Sequence, residues 1–228
     1  LKIYFGEGPN DCRFLKTIFE VKFDKTAYPI HKNISKIKSV SSTQRYSDKF
    51  DCIIFSDGGK DLIPKFIPAF IRETLGKEKG SKSCLILKDD DGKGDANSLT
   101  QTYTEEIISI LKSRNPAFNY NFHTEPENNL IAFLSPNDER NKIIFKFFFI
   151  SNSLEKNLVD LAIKFFNITG SGKENILNLD PHKAIKEISK IRKITPEELL
   201  KQAITEHWFT TESWYNQLLL QLNSSNEI

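Results

Sequence analysis

Short apolar runs ending in small or acidic residues alternate with amphipathic stripes, and this alternation leaves the chain few folds to choose from. Residues 2–5 read as a strand, and Phe14, Leu15, Ile18 and Phe19 behind them share one helical face. Residues 51–55 form a second strand that ends in Ser56, Asp57, Gly58, Gly59 and Lys60. Leu62, Ile63, Phe66, Ile67, Phe70 and Ile71 then repeat at helical spacing, in a helix that Pro68 must kink or divide. A third strand over 84–87 runs into Asp89, Asp90 and Asp91, and Ile107, Ile108, Ile110 and Leu111 mark the next helix. Strands over 120–122, 130–134 and 143–150 follow, and then a helical stripe of Leu154, Leu158, Leu161, Ala162 and Phe165. Residues 21–47, with Pro29 and scattered Ile, read as irregular, with one strand near 34–40. Strands alternating with helices predict an α/β fold with a mostly parallel sheet covered on both faces and its site at the carboxyl ends of the strands.

Beyond Asn167 the pattern turns helical. Asp180-Pro181 is a helix start, Thr195-Pro196-Glu197-Glu198 is a capping box with proline at the first helical position, and Thr211 is placed to cap a last helix carrying Trp214, Leu218, Leu219 and Leu222. The expected organisation is an α/β domain over 1–167 and a helical appendage over 168–228. A chain of 228 residues buries enough surface to need no disulfide or metal staple. Its 39% hydrophobic and 27% charged residues exclude disorder, collagen and coiled coil.

Cys12, Cys52 and Cys84 are odd in number and widely spaced, which suits buried thiols. The apolar run over 143–150 is broken by Lys146 and falls far short of the ~20 residues that span a bilayer. The first residues run straight into Gly6, Glu7 and Gly8 without the apolar stretch of a secretory signal. The expectation is an intracellular, cytoplasmic protein with no membrane partner. A net charge of +2 provides no global basic field, yet does not exclude a polyanionic substrate.

The residues that carry chemistry sit at three strand ends: Glu7, Gly8 and Asp11 after the first, Gly58, Gly59 and Lys60 after the second, Asp89, Asp91 and Gly94 after the third. In a parallel sheet these ends open onto one edge, so distant carboxylates converge. Mg²⁺ takes oxygen ligands, typically one or two carboxylates together with substrate phosphates, and glycines let a phosphate approach the backbone. Lys60, Lys88 and Lys93 are positioned to meet phosphate. The bland alternative makes Glu7 and Asp11 helix-terminal charges and the 89–91 run a solvated turn.

A strand, Glu7-Gly8-Pro9-Asn10-Asp11 and a helix, followed later by a strand and Asp89-Asp90-Asp91-Gly92-Lys93-Gly94, resemble the two signature motifs of the TOPRIM domain of topoisomerases, bacterial-type primases and several nucleases. The strand ending in Gly58-Gly59-Lys60 is similar to the middle strand of stand-alone TOPRIM proteins and of the overcoming-lysogenization-defect nucleases. The resemblance covers roughly residues 1–165. It implies a Mg²⁺- or Mn²⁺-dependent site in which Glu7 is general acid/base or metal ligand, Asp89 and Asp91 bind metal, and Asp95 is an additional ligand. Substrate contacts fall to Gly8, Gly58, Gly59, Lys60 and Lys93.

Ser153-Leu154-Glu155, after a strand and opening a helix, resembles the later acidic motif of the nuclease members and makes Glu155 a catalytic candidate. The stretch between Glu7 and Asp89 is long for a minimal TOPRIM domain. No zinc module, ATPase domain or strand-passage domain fits in the chain, which argues against topoisomerase and complete primase activities.

Gly170-Ser171-Gly172-Lys173 fails as a phosphate loop because Glu174 follows the lysine. The 89–100 stretch fails as a calcium loop because Thr100 replaces the closing glutamate. His31, His123, His182 and His207 lack ligand spacing. Trp208 and Trp214 read as core, and the basic stretch 183–193 as a solvated helix face before a nucleic-acid contact strip.

The expected function is that of a metal-dependent nuclease acting on DNA or RNA, in repair or replication, alone, as a homo-oligomer or in a larger complex. A primase-like nucleotidyl transferase and a non-catalytic nucleic-acid- or protein-binding module are the alternatives.

Overall fold

The computed structural model describes residues 2–31, 49–56, 60–77, 80–92, 95–114, 121–136 and 138–224. The chain is an α/β protein in which one seven-stranded, mostly parallel sheet is flanked by helices on both faces. Its strands are β1 (Lys2–Gly6), β2 (Ala27–His31), β3 (Cys52–Ser56), β4 (Ser81–Asp89), β5 (Asn121–Glu125), β6 (Leu130–Ser135) and β7 (Asp138–Ile150), in the order β2-β3-β1-β4-β7-β6-β5. The first five of that order run parallel, and β6 lies antiparallel to both neighbours.

Eight α-helices are present among the described residues: α1 (Pro9–Lys22), α2 (Ile67–Lys77), α3 (Ala96–Arg114), α4 (Leu154–Phe165), α5 (Gly170–Leu177), α6 (Pro181–Arg192), α7 (Pro196–Thr205) and α8 (Ser213–Ser224).

Alternation along the strands divides the apolar residues between two layers. Ile3, Phe5, Ile53, Phe55, Cys84 and Ile86 face α2 and α3, while Tyr4, Cys52, Ile54, Leu85 and Leu87 face α1 and α4. Phe5 is fully buried, with ring centroids of Phe55, Phe66, Phe70 and Phe145 at 5.2–6.0 Å. A phenyl group buried to that degree contributes roughly 2–3 kcal/mol by transfer alone. The cluster on the opposite face continues from Phe14 and Leu158 to Ile188, Ala203, Trp208 and Leu218, so the C-terminal helices share one core with α1 and α4. Trp208 and Trp214 are buried there, and all three cysteines are buried and free.

Expected caps are in place. Asp180 accepts the His182 N–H, and Thr195 and Glu198 exchange the reciprocal bonds of a capping box at 3.1 and 2.6 Å. The last helix departs from expectation: Thr211 lies in a 3-10 turn (Trp208–Thr211), and α8 begins at Ser213. Of the isoleucines of α6, Ile185 and Ile188 are buried and Ile191 is exposed.

The 21–47 stretch is not irregular throughout, because β2 forms within it, and Pro29 is tolerated there on what is an edge strand among the described residues. The strand expected over 34–40 lies outside the described residues. A π-helical turn (Leu62–Phe66) runs directly into α2, so the irregularity falls before Pro68, which is the second residue of α2.

At Gly6 the end of β1 and the first turn of α1 approach closely. A Cβ there would lie 2.7 Å from Asp11 Cβ and 3.3 Å from the Cys12 nitrogen. Gly6→Ala is therefore expected to lower stability by about 2–3 kcal/mol through overpacking, measured as a lower urea midpoint at unchanged slope. A midpoint equal to wild type would show that α1 can retreat freely.

Candidate active site

The carboxyl edge of the parallel strands gathers acidic residues from three separate stretches of chain. The Gly6–Leu87 pair sets β1 beside β4, so Glu7 emerges next to Lys88. The Lys88 ammonium lies 2.8 Å from Glu7 Oε2 and 5.0 Å from the centre of the Tyr103 ring. Lys88 follows Ile86 on the α2/α3 face, and Asp89 follows Leu87 on the α1/α4 face. There Asp89 Oδ1 accepts the Leu154 N–H at 3.1 Å, at the opening turn of α4.

Asp90 fastens the acidic loop to the segment after β7: its Oδ1 accepts the Asn152 N–H at 2.6 Å and the Gly92 N–H at 2.7 Å. Asp91, Gly92 and Asn152 all adopt left-handed backbone conformations in these two turns. In α4, Ser153 caps by accepting the Lys156 N–H, and Glu155 stands in the first turn. Its Oε1 accepts a 2.6 Å bond from Asn10 Nδ2 and lies 3.6 Å from His182 Nδ1.

Asp11 is buried on the same side and accepts the Gly8 N–H at 2.8 Å. Burial, then the charge of Asp89, hold its carboxyl well above the ordinary range; the Gly8 N–H opposes this, and Glu155 and Glu7 add to it. Asp89 is pushed up to about 7, first by burial and then by Glu155, against the Leu154 N–H, with smaller contributions from Glu7 and Asp91. For Lys88, burial works against the ammonium, but Glu7 and Tyr103 outweigh it and raise its pKa. Among the described residues the edge is thus a carboxylate cluster in which Lys88 is paired with Glu7.

Glu7, Asp89, Asp91 and Glu155 are brought close enough for Asp89 to feel the other three. Gly8 is the N-terminal cap residue of α1, and Lys60 is exposed in the turn before the π-helical segment. Gly58, Gly59 and Lys93 lie outside the described residues. Asp95 is exposed and occupied as a helix cap, accepting the Asn97 and Ser98 N–H groups and the Ser98 hydroxyl. Asp11 and Lys88, read from the sequence as a strand-end carboxylate and a phosphate-facing lysine, instead meet the Gly8 N–H and Glu7. Asn10, inside the first motif but given no role there, and His182, set aside for lack of ligand spacing, are the residues sequence reasoning missed beside Glu155.

Among the described residues no group of three or more His, Cys, Asp and Glu side chains is arranged to hold a metal ion. The donor chemistry nevertheless suits a hard cation, since the neighbouring carboxylate charges that help raise the pKa of Asp89 and Asp11 would be relieved by one. Among the described residues no helix is long and apolar enough to cross a membrane. Comparison with protein-family models, curated proteins and solved structures returned no match.

Proposed function

We propose that this chain is a divalent-metal-dependent phosphodiester enzyme of TOPRIM type and that it cleaves nucleic acid. The observation that carries this reading is the convergence of Glu7, Asp11, Asp89, Asp91 and Glu155 at the carboxyl edge of a parallel sheet, with Asp89 driven to about 7 by burial and its neighbours. Glu7, Asp89 and Asp91 would hold the cation, Mg²⁺ or Mn²⁺. When bound, such an ion supplies charge neutralisation at the phosphoryl oxygens.

The chain's own residues do the rest. Lys88 fixes the Glu7 carboxylate at the end of β1, where it can take or return a proton. Asn10 fixes Glu155, and the first turn of α4 holds Asp89 through the Leu154 N–H. The binding-module alternative draws on one observation: Lys88 already serves Glu7 as a built-in counter-ion.

The test is incubation of purified protein with end-labelled single- and double-stranded DNA and RNA. Cleavage is expected with Mg²⁺ or Mn²⁺, is expected to stop in chelator, and should be poorly supported by Ca²⁺, whose looser coordination positions oxygens less strictly. No cleavage of any of these substrates, by protein that still binds them, would move the assignment to the binding module.

A further inference from the structure

A cleft of about 520 Å³ opens beside the carboxylate cluster, between the first turns of α1 and α4 on one side and α6 and α7 on the other. Its size falls within the range of pockets that enclose a small organic ligand. Leu158, Ile185 and Leu200 make its floor, all of them core residues at their roots. The rim carries two cations, Arg13 and Lys186, together with two carboxylates, Glu155 and Glu197. Arg13 reaches Asn10 Oδ1 at 3.3 Å and pairs with Glu197 at 3.1 Å, and Lys186 is exposed with no ion pair among the described residues.

Glu155 belongs to both places. It lines the cleft and it raises the pKa of Asp89, so the cleft begins where the cluster ends. A ligand that fills both must carry a phosphate at the cluster and, directly attached, a partly apolar unit with further negative charge beside it. Lipid tails would leave Arg13 and Lys186 unused, and an acidic peptide would leave the apolar floor unused. A nucleotide satisfies both.

We propose that this cleft is a nucleotide subsite, receiving one nucleotide unit of the phosphodiester substrate with its base and sugar over Leu158, Ile185 and Leu200 and its flanking phosphate toward Arg13 and Lys186. The inference rests on the phosphodiester reading above and adds to it the part of the substrate recognised and the role of the C-terminal helices. Those helices supply half of the substrate site, in addition to covering the sheet.

Binding is measured in chelator, so that no cleavage intervenes, with a fluorescent short single-stranded DNA and with free deoxyadenosine monophosphate as competitor. Lys186→Glu is expected to weaken oligonucleotide binding by about tenfold or more through lost phosphate attraction. Lys112→Glu, the same charge change at an exposed position on α3 across the sheet, should bind like wild type. Thermal melting confirms that both variants fold. Displacement by the free nucleotide, weakened in parallel by Lys186→Glu, identifies the mononucleotide as sufficient. Lack of displacement with the oligonucleotide effect intact assigns the subsite to a unit within a strand.

Equal binding by the two variants overturns the subsite even if wild type cleaves, and absence of oligonucleotide and nucleotide binding by wild type overturns it too. Rim-dependent binding without cleavage in Mg²⁺ or Mn²⁺ removes the nuclease reading and leaves the subsite standing.

Discussion

Asp89→Asn is expected to abolish divalent-cation binding and, in the same protein, to raise stability above pH 7. In the folded chain this carboxyl titrates near 7, against an ordinary value of 3.8. Between these values the native state keeps a proton that the unfolded state has lost, so the carboxyl's contribution to stability falls as pH rises through the window. Above pH 7 the whole cost of holding the charge is present. The full shift would correspond to roughly 4 kcal/mol; because Asp89 is only half-buried, screening reduces the expected gain on neutralisation to about 1–3 kcal/mol.

Asparagine keeps an oxygen for the Leu154 N–H and removes the charge. Melting curves at pH 8 should therefore shift upward by about 2–4 °C per kcal/mol gained, and the difference should shrink toward zero near pH 4. Calorimetry with Mn²⁺ at pH 8 should detect binding to wild type only, and wild-type affinity should weaken as pH drops below 7 because protons compete for the same oxygens. An Asp89→Asn protein that binds Mn²⁺ like wild type and melts lower at pH 8 would remove the carboxylate cluster from metal chemistry.

The ease of reading the fold and the difficulty of reading the site have the same physical origin. Strands and helices announce themselves through periods of two and 3.6, and Thr195, Glu198 and Asp180 announce helix starts because unsatisfied N–H groups must be met within three residues. β2 was hidden because Pro29 and polar neighbours are acceptable only at an edge, and an edge is a property of the assembled sheet. Long-range contacts have no local period at all. The Asn10–Glu155 bond joins residues 145 positions apart, and an acidic residue in a helix's first turn looks the same whether it meets solvent or a catalytic neighbour.

Lys88 illustrates what is half-readable. Period two places it on the face opposite Asp89, but only the register of β1 against β4 reveals that Glu7 is its partner. Asp11 shows the reverse: its spacing from Gly8 correctly marks a helix-terminal acceptor, and nothing in that spacing tells that burial and Asp89 together keep it from ionising in the ordinary range. Asp95, spaced like a further ligand after Asp89 and Asp91, spends its oxygens on the start of α3.

Glu7→Gln is expected to lose metal-dependent cleavage by about 10²–10⁴-fold while nucleic-acid binding stays within a few-fold of wild type, because glutamine keeps the shape and removes the charge and the proton transfer. The same change strips Lys88 of its anion. With the ammonium largely buried and the carboxylate about one-quarter exposed, the loss in stability is expected to be about 1–2 kcal/mol. A purely structural role for Glu7 and a catalytic one would both weaken the single variant, so the pair must be taken apart together. In Glu7→Gln/Lys88→Met the unpaired cation is gone, and stability should return toward wild type. Cleavage should not return with it if Glu7 acts on the substrate. Recovery of cleavage in the double variant, in step with its melting temperature, would reduce Glu7 to the partner of Lys88 and leave the sheet edge without its proposed acid/base.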